Sequence, residues 1–478
     1  MSLTSDLKKL KIKNLVLDSR KVKPGDLFFA CVGTHLDGRK FIDSAIANGA
    51  AAIISEGNEK NKIYKDVPIF FVPNLINKIG DLAAEFYKNP SREMQVIGIT
   101  GTNGKTSCSH FIASALTSLN RSCGVIGTLG NGLYGNIQES NLTTPDAVTL
   151  QKTLSEFLNQ GAKYTAMEVS SHSIEQGRIN GTDFAASIFT NLTRDHLDYH
   201  LTMEHYANAK KKLFELEATK KAVINADDEL GQAIISELKD KKPLFAYGVN
   251  AHQLPSNVPF VYAKDIKLDL TGITAKLHSP WGVGELKAKL IGQFNVSNLL
   301  AVFTTLCLLD IPFQTVLNAI EKLTPVAGRM QALGGGKKPL VLVDYSHTPD
   351  ALENALKALR HHCQKKLFCV FGCGGDRDRG KRPMMAKIAE FNADHVIVTN
   401  DNPRTEDPEL IAKEILCGFK DSSKVQVQLD RAKAIKEVIE KANSGDCILI
   451  AGKGAETYQI IGTEKFPFSD VDEVSKSL

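Results

Sequence analysis

The stretch V-I-G-I-T-G-T-N-G-K-T-S, Val96 to Ser107, constrains the chain more than any other. An apolar run leads into closely spaced glycines and then Lys105, Thr106 and Ser107, ahead of a helical pattern that begins at His110-Phe111. The run reads as a strand covered on both faces, the habit of parallel sheets. Later runs, Tyr164 to Val169 and Ala185 to Leu192, alternate with helical stretches, so the expected class is α/β with a parallel sheet. A glycine-rich turn entering a helix lets backbone N–H groups surround phosphates. Lys105 then neutralises the terminal phosphates and Thr106 offers a hydroxyl to Mg²⁺. The spacing is a variant: G-x-x-x-x-G-K-S/T requires glycine at Ile99, and the glycines stand at Gly98 and Gly101.

At roughly 150 residues per domain, 478 residues suggest about three domains. Proline restricts its predecessor and cannot continue a helix, so Asn89-Pro90-Ser91 reads as a linker after the helical pattern Ile79 to Tyr87. The pattern restarts after Thr324-Pro325 with runs at Leu340 to Asp344, Leu367 to Phe371, His395 to Thr399, Val425 to Leu429 and Cys447 to Ala451. We therefore expect domains at 1–92, 93–325 and 326–478, the last Rossmann-like. It lacks the dinucleotide fingerprint, because Arg377 sits where the third glycine of G-x-G-x-x-G belongs.

Composition narrows the function classes. With 43% hydrophobic and 23% charged residues the chain is neither disordered nor fibrous. No window approaches the roughly 18 apolar residues of a membrane helix, and the start lacks a signal peptide's apolar core, so a cytoplasmic protein without membrane insertion is expected. A net charge of +4 without basic runs disfavours nucleic acid as a partner. Nine cysteines without a C-x-x-C pair read as reduced thiols; Cys369 and Cys373 read as core residues beside a glycine-rich turn.

Several side chains carry chemistry. Glu168 ends an apolar strand, a place suited to holding Mg²⁺. His196 and His200 are four apart but lack a third zinc ligand at helical spacing. In the helical pattern Met203 to Leu216, Lys210 shares a face with Tyr206, Leu213 and Phe214 while Lys211 and Lys212 point away. Burial there would depress its pKa and leave an amine able to react with CO₂; snorkelling to water is the alternative. D-Y-S-H-T-P-D (Asp344 to Asp350), G-C-G-G-D-R-D-R-G-K-R-P (Gly372 to Pro383) and D-N-P-R (Asp401 to Arg404) each follow a predicted strand, where doubly wound sheets bind ligands. Asp401 and Arg404 in a proline-stiffened turn suit the ammonium and carboxylate of an amino acid.

Together with M-E-V-S-S-H, T-N-L-T-R-D-H-L-D-Y-H, Y-A-N-A-K and G-Q-F-N-V-S-N, these motifs resemble the Mur ligase family, in order from Leu17 to Glu456. The resemblance implies three domains: an N-terminal α/β domain binding a UDP-sugar, a central P-loop ATPase-type parallel-sheet domain and a Rossmann-like domain binding an amino acid. It implies ATP-dependent amide formation in peptidoglycan synthesis, adding diaminopimelate to the D-Glu of a UDP-muramoyl dipeptide through an acyl phosphate. By that likeness Leu17 and Ser19 contact uridine, and Thr143, Thr144, Ser170, Gln176 and Arg178 the muramoyl dipeptide. Gly101, Thr102, Asn103, Gly104, Lys105, Thr106, Ser107, Asn295, Arg329 and Asp344 bind ATP. Thr106, Glu168, His196 and a carbamylated Lys210 hold Mg²⁺, with Lys105, Lys210 and His196 catalytic. Arg377, Asp401, Asn402, Pro403, Arg404, Gly452 and Glu456 bind diaminopimelate.

The chain departs from the family's usual pattern at Ala455, where histidine is common, at Leu201, where glycine is common, and at Thr34-His35-Leu36. Small-molecule substrates and a monomer are expected. The alternatives are a lysine-adding ligase of the same family, a folylpolyglutamate synthetase, or a nucleotide-switched binding protein. Arg404 argues against the first, since lysine has no distal carboxylate for it to bind.

Overall fold

The computed structural model of the chain describes residues 10–33, 36–140, 142–250, 257–269 and 272–478. Thr34 and His35, two of the three residues in one departure from the family pattern, lie outside them. Contacts gather into two units: Met1–Gly98 with Arg121–Ala186 and Glu215–Lys220, and Ile99–Asn120 with Ser187–Phe214 and Lys221–Leu478.

In the first unit, β1 (Leu15–Val16), β2 (Leu27–Ala30), β3 (Ala52–Glu56), β4 (Lys62–Tyr64) and β5 (Val67–Val72) form a sheet of order β1-β2-β3-β5-β4. Only β4 runs antiparallel. β2 is buried along its whole length, as a central parallel strand should be. One face packs on the helix Leu75–Phe86, whose Leu75, Ile79 and Ala83 join Leu27, Phe29 and Ile54, together with Ala147 and Val148 from further along the chain. The break expected at Asn89-Pro90-Ser91 is not an extended linker. Pro90 opens the short helix Pro90–Glu93, where its missing N–H costs nothing, and Ser91 Oγ accepts from the Asp183 amide (3.0 Å). After β6 (Gln95–Thr100), which runs on into the second unit, β7 (Cys123–Gly127) pairs antiparallel with β8 (Gly130–Leu133), and β8 with β9 (Asn136–Gln138). β10 (Tyr164–Glu168) runs parallel to β7.

In the second unit β11 (Ala186–Phe189), β12 (Ala222–Asn225), β13 (Leu244–Gly248) and β14 (Phe260–Asp269) pair in parallel succession. β15 (Gly272–Ser279) and β16 (Gly282–Ala288) continue the order antiparallel. The helix Phe294–Leu308 is buried on nearly every side. The phosphate-loop helix, Lys105–Ser118, starts five residues before the apolar pattern suggested, because its first turn is polar.

The remaining chain forms β17 (Gln331–Gly334), β18 (Leu340–Asp344), β19 (Leu367–Phe371), β20 (His395–Val398), β21 (Val425–Val427) and β22 (Cys447–Ala451), in the order β17-β18-β22-β19-β20-β21. All but β17 are parallel. Alternate strand residues face opposite layers. Leu342, Cys369 and Leu449 meet the helices Pro349–Arg360, Lys381–Asn392 and Pro408–Leu416, while Val341, Val370 and Ile448 meet Arg431–Lys441 and Asp470–Ser477. The sheet is doubly wound, and the carboxyl ends of β18, β19, β20 and β22 share one edge. A hairpin, β23 (Tyr458–Ile461) and β24 (Glu464–Pro467), follows.

Candidate active site

The loop after β6 is built by glycine and strapped by a neighbour. Gly101 has φ +149°, and a Cβ there would lie 1.8 Å from Thr190 Oγ1; Gly104, at φ +87°, enters the helix Lys105–Ser118. The Thr102 amide donates to Asn191 O (2.9 Å) and the Asn103 amide to Asn191 Oδ1 (2.9 Å). Thr102 Oγ1 also accepts from the Thr193 amide (3.0 Å). Thr190 Oγ1 donates to Asn103 O (2.6 Å). The first intrahelical bond is Cys108 N to Gly104 O (2.9 Å), so the amides ahead of it form the donor surface a phosphate would meet.

Lys105 lies at the junction of the loop and its helix. It is the first residue of the helix, half-buried, and its Nζ donates to Gly101 O and Thr102 O (both 2.8 Å). Lys210 is fully buried with Tyr206, Leu213 and Phe214, while Lys211 and Lys212 are more exposed, as the periodicity implied. Its Nζ donates to the same Gly101 carbonyl (2.8 Å) and lies 4.4 Å from the Tyr206 ring centre. Burial, reinforced by the charge of Lys105, holds its pKa well below the ordinary lysine value.

Asn295 and Asn298 open the helix Phe294–Leu308. Asn298 Nδ2 donates to Asn295 Oδ1 (3.1 Å), and Asn298 Oδ1 comes within 2.7 Å of where a Cβ on Gly104 would stand. Arg329 Nη2 donates to Thr106 Oγ1 (3.1 Å), its guanidinium 4.1 Å from the Tyr345 ring centre. Asp344 accepts the Met330 amide (2.7 Å) and the Ser346 hydroxyl. Asp350 accepts from Asn103 Nδ2 (3.0 Å) and Asn354 Nδ2 (3.1 Å); burial raises its pKa against those bonds.

His196 has φ +55° and precedes the short helix Leu197–His200, so it and His200 do not sit on one regular helix. Asp195, buried, lies 3.2 Å from His196 Nε2, 3.5 Å from His347 Nε2 and 3.4 Å from Lys381 Nζ. Burial opposes its ionisation, but Lys381 and the two imidazoles overcome that and hold the carboxyl well below the usual range. Among the described residues no three His, Cys, Asp or Glu side chains converge as a metal site. Cys373 Sγ contacts Met385 Sδ (3.7 Å), and burial pushes its thiol up to about 12.

The first unit gathers a second group. Glu168 accepts the Thr128 amide (2.8 Å) and hydroxyl (3.1 Å), and Thr128 Oγ1 is 3.2 Å from Thr143 Oγ1. Thr144 Oγ1 donates to Glu168 O (2.8 Å), Ser170 caps the helix Ser171–Glu175, and Arg178 donates to Thr144 O (3.1 Å) and to Gln176 Oε1. Thr143, Thr144, Ser170, Gln176 and Arg178 thus lie around Glu168. Ser19 is buried and Leu17 half-buried beside β1.

The third group occupies the carboxyl ends of β19, β20 and β22. Arg404 (φ +52°) donates to Gly375 O (2.8 Å); burial, with the like charge of Arg377, lowers its pKa. Asn402 Nδ2 (2.9 Å) and Lys453 Nζ (2.7 Å) both reach Glu456 Oε2. A Cβ at Gly452 would stand 2.4 Å from Asp401 Oδ2, so only glycine allows that approach. The site residues that sequence reasoning passed over are Asn298, Asp350, Asp195, Lys381 and Lys453. The first four lie inside the motifs and Lys453 beside Gly452, but nothing local distinguishes them.

Three family models cover most of the chain: "Mur ligase family, catalytic domain" at 11–87, "Mur ligase middle domain" at 99–306 and "Mur ligase, glutamate ligase domain" at 328–454. The chain is 49% identical over 478 residues to a UDP-N-acetylmuramoyl-L-alanyl-D-glutamate--2,6-diaminopimelate ligase of Coxiella burnetii, covering 100% of this chain and 97% of that protein. It is 48% identical over 466 residues to one so named from Haemophilus influenzae, covering 96% and 95%. A solved structure of a ligase of that name aligns with TM-score 0.69 and 38% identity over 98% of this chain and 94% of that one. A UDP-N-acetylmuramoylalanyl-D-glutamyl-2,6-diaminopimelate--D-alanyl-D-alanyl ligase from Acinetobacter baumannii, 19% identical, shares the fold at TM-score 0.66 over 94% of each chain. With its phosphate loop, its three α/β parts and relatives nearly half identical from end to end, the chain belongs to the Mur ligase family.

Proposed function

We infer that the chain is an ATP-dependent ligase that joins an amine of meso-2,6-diaminopimelate to the D-Glu carboxyl of UDP-N-acetylmuramoyl-L-Ala-D-Glu, releasing ADP and phosphate, in peptidoglycan precursor synthesis. The observation that carries this reading is the end-to-end likeness to ligases named for that substrate. The Arg404–Arg377 pair beside Asp401 supports it: two guanidiniums and a carboxylate suit an amino acid with a second carboxylate.

A D-Glu carboxylate oxygen bonds to the γ-phosphorus of ATP as the bond to the β–γ bridging oxygen breaks and ADP departs. A neutral amine of the amino acid then attacks the acyl carbon; phosphate leaves with the C–O electron pair, and the amine's surplus proton passes to solvent. Lys105 and the amides opening its helix bind the phosphates, while Asn295, Arg329 and Asp344 position the nucleotide. Thr143, Thr144, Ser170, Gln176 and Arg178 orient the dipeptide, and Leu17 and Ser19 the uridine. Thr106, Glu168, His196 and Lys210 would hold Mg²⁺; with a carbamate on Lys210 the set is mostly oxygen, which a small hard cation prefers. When bound, Mg²⁺ spreads the charge of the phosphates. Lys210, buried and with its amine biased toward the neutral form, suits condensation with CO₂.

The domain limits 1–92, 93–325 and 326–478 accompany this reading. A monomer accompanies it as well. Nucleotide-activated substrates and nine unpaired cysteines fit the cytoplasm. No helix among the described residues is long and apolar enough to cross a membrane.

The test is ADP release with the UDP-muramoyl dipeptide and a panel of amino acids, on the wild type and on Arg404→Ala. Diaminopimelate should be preferred to lysine by about 10⁴ in kcat/KM, since lysine would leave the guanidinium desolvated and unpaired. The variant should lose diaminopimelate without gaining lysine. Comparable use of lysine by the wild type would overturn the assignment.

A further inference from the structure

Beside the third group of residues lies a buried ion pair whose guanidinium hydrogen-bonds none of the proposed substrate contacts but feels the charges of Asp401 and Glu456. Arg431 opens the helix Arg431–Lys441, and Asp470 opens the helix Asp470–Ser477; both side chains are wholly buried. Nε and Nη2 of Arg431 donate to the two carboxylate oxygens of Asp470, both at 2.7 Å. The fork still has donors to spare. Nη2 also donates to Ala451 O (3.0 Å) and Nη1 to Asn400 O (3.2 Å).

Those carbonyls sit at a particular place. Asn400 is the residue before the Asp401–Arg404 turn, and Ala451 is the last residue of β22, immediately before Gly452. β20 and β22 are not neighbours, since β19 runs between them, so no ladder hydrogen bond joins the ends of these two strands; the first turn is tied only further along, where the Arg404 amide donates to Ile460 O (3.1 Å) and the Gly462 amide to Arg404 O (2.8 Å). One rigid guanidinium spans the carbonyls at the two strand ends, while Asn402 Nδ2 to Glu456 Oε2 (2.9 Å) joins the turns themselves. On the other side Lys453 Nζ bridges Asn402 Oδ1 (3.1 Å) and Glu456 Oε2, and the approach of Gly452 to Asp401 leaves no room for a Cβ.

We propose that Arg431, braced by Asp470, is a positioning residue that sets the spacing of the Asp401–Arg404 and Gly452–Glu456 turns, and thereby the affinity for the amino acid that is added. The inference rests on the amino-acid site proposed above. Planarity is the physical reason for arginine here. A guanidinium holds its donors at fixed angles, so with Asp470 fixing one edge the remaining donors fix both carbonyls, which an ammonium on a flexible stem cannot do.

Removing one partner alone strands a buried charge, so the test exchanges both. In Arg431→Met/Asp470→Leu the buried pair becomes apolar at similar volume, an exchange that is often neutral or stabilising, and the tether to both carbonyls is lost. KM for diaminopimelate should rise about tenfold or more, since a displacement near 1 Å of a substrate clamp costs up to about a hundredfold. KM for ATP and for the UDP-muramoyl dipeptide should stay put. Arg431→Lys, able to reach one carbonyl, should fall between wild type and double variant, and it carries the test if the double variant does not fold. Loss of fold alone would move thermal unfolding and active fraction but not one KM among three. The proposal is overturned if the amino-acid KM is unchanged in a folded variant or if all three constants rise together. Should the wild type prefer another amino acid, the substrate assignment fails, and the same KM split read with that amino acid still decides the role of Arg431.

Discussion

A single carbonyl, that of Gly101, receives two ammonium groups, from Lys105 and Lys210. Two cations so close repel, and burial together with the charge of Lys105 pulls the pKa of the more buried Lys210 well below the ordinary lysine value. In the proposed mechanism Lys105 meets the phosphates and Lys210 takes up CO₂. Lys210→Ala is expected to fold and be nearly inactive, with partial rescue by a small carboxylate such as acetate that substitutes for the carbamate oxygens. Steady-state ADP release with and without acetate checks this; full activity in CO₂-free buffer, with an unmodified amine in the wild type by mass spectrometry, would refute the carbamate. Lys210 was legible in the sequence because helical periodicity places it on the face of Tyr206 and Leu213. The shared carbonyl was not, since Gly101 is more than a hundred residues away.

At the scale of elements, the phosphate loop owes its shape to the 190–193 segment as much as to its own glycines. Gly101→Ala should therefore cost about 3 kcal/mol of stability and abolish nucleotide binding, as a Cβ 1.8 Å from Thr190 Oγ1 and a positive φ must both be accommodated. Denaturant unfolding and ATP titration measure the two effects; wild-type affinity would show that the strap is dispensable. Continuous apolar runs made the parallel strands readable, and β18, β19 and β22 match the sequence reading residue for residue. The antiparallel ribbon β14–β16, the edge strand β17 and the hairpin β23–β24 escaped it. Their half-exposed alternation, as in Ile273, Ala275 and Leu277 of β15, is a weaker signal than a fully buried run.

At the scale of the whole molecule, buried and half-buried charges join some segments remote in sequence. Asp195 with Lys381, and Arg194 with Asp378 (2.9 Å), fasten the 194–195 segment to the 378–381 segment inside the larger unit. Lys381→Met leaves Asp195 with only the imidazoles of His196 and His347 and should cost about 3 kcal/mol at pH 7. The pH dependence has a definite sign. The carboxyl of Asp195 is held below its unfolded value, so its contribution is complete above pH about 4 and is lost as pH falls through the lower folded value. The gap between wild type and variant should be open at neutral pH and close in acid; a gap independent of pH in urea titrations would show that lost packing, not charge, is responsible. The sequence by itself determined the α/β class, the phosphate loop, the buried face of Lys210 and the motif order that marks the family, because each is a local pattern of period, glycine spacing or charge. Tertiary structure alone decided which motifs meet: that Asn103 bonds to Asp350, that Arg329 reaches Thr106, and that Arg431 holds two loop carbonyls from below. Such pairings depend on strand order and on which face each crossover covers, and chain order does not encode them locally.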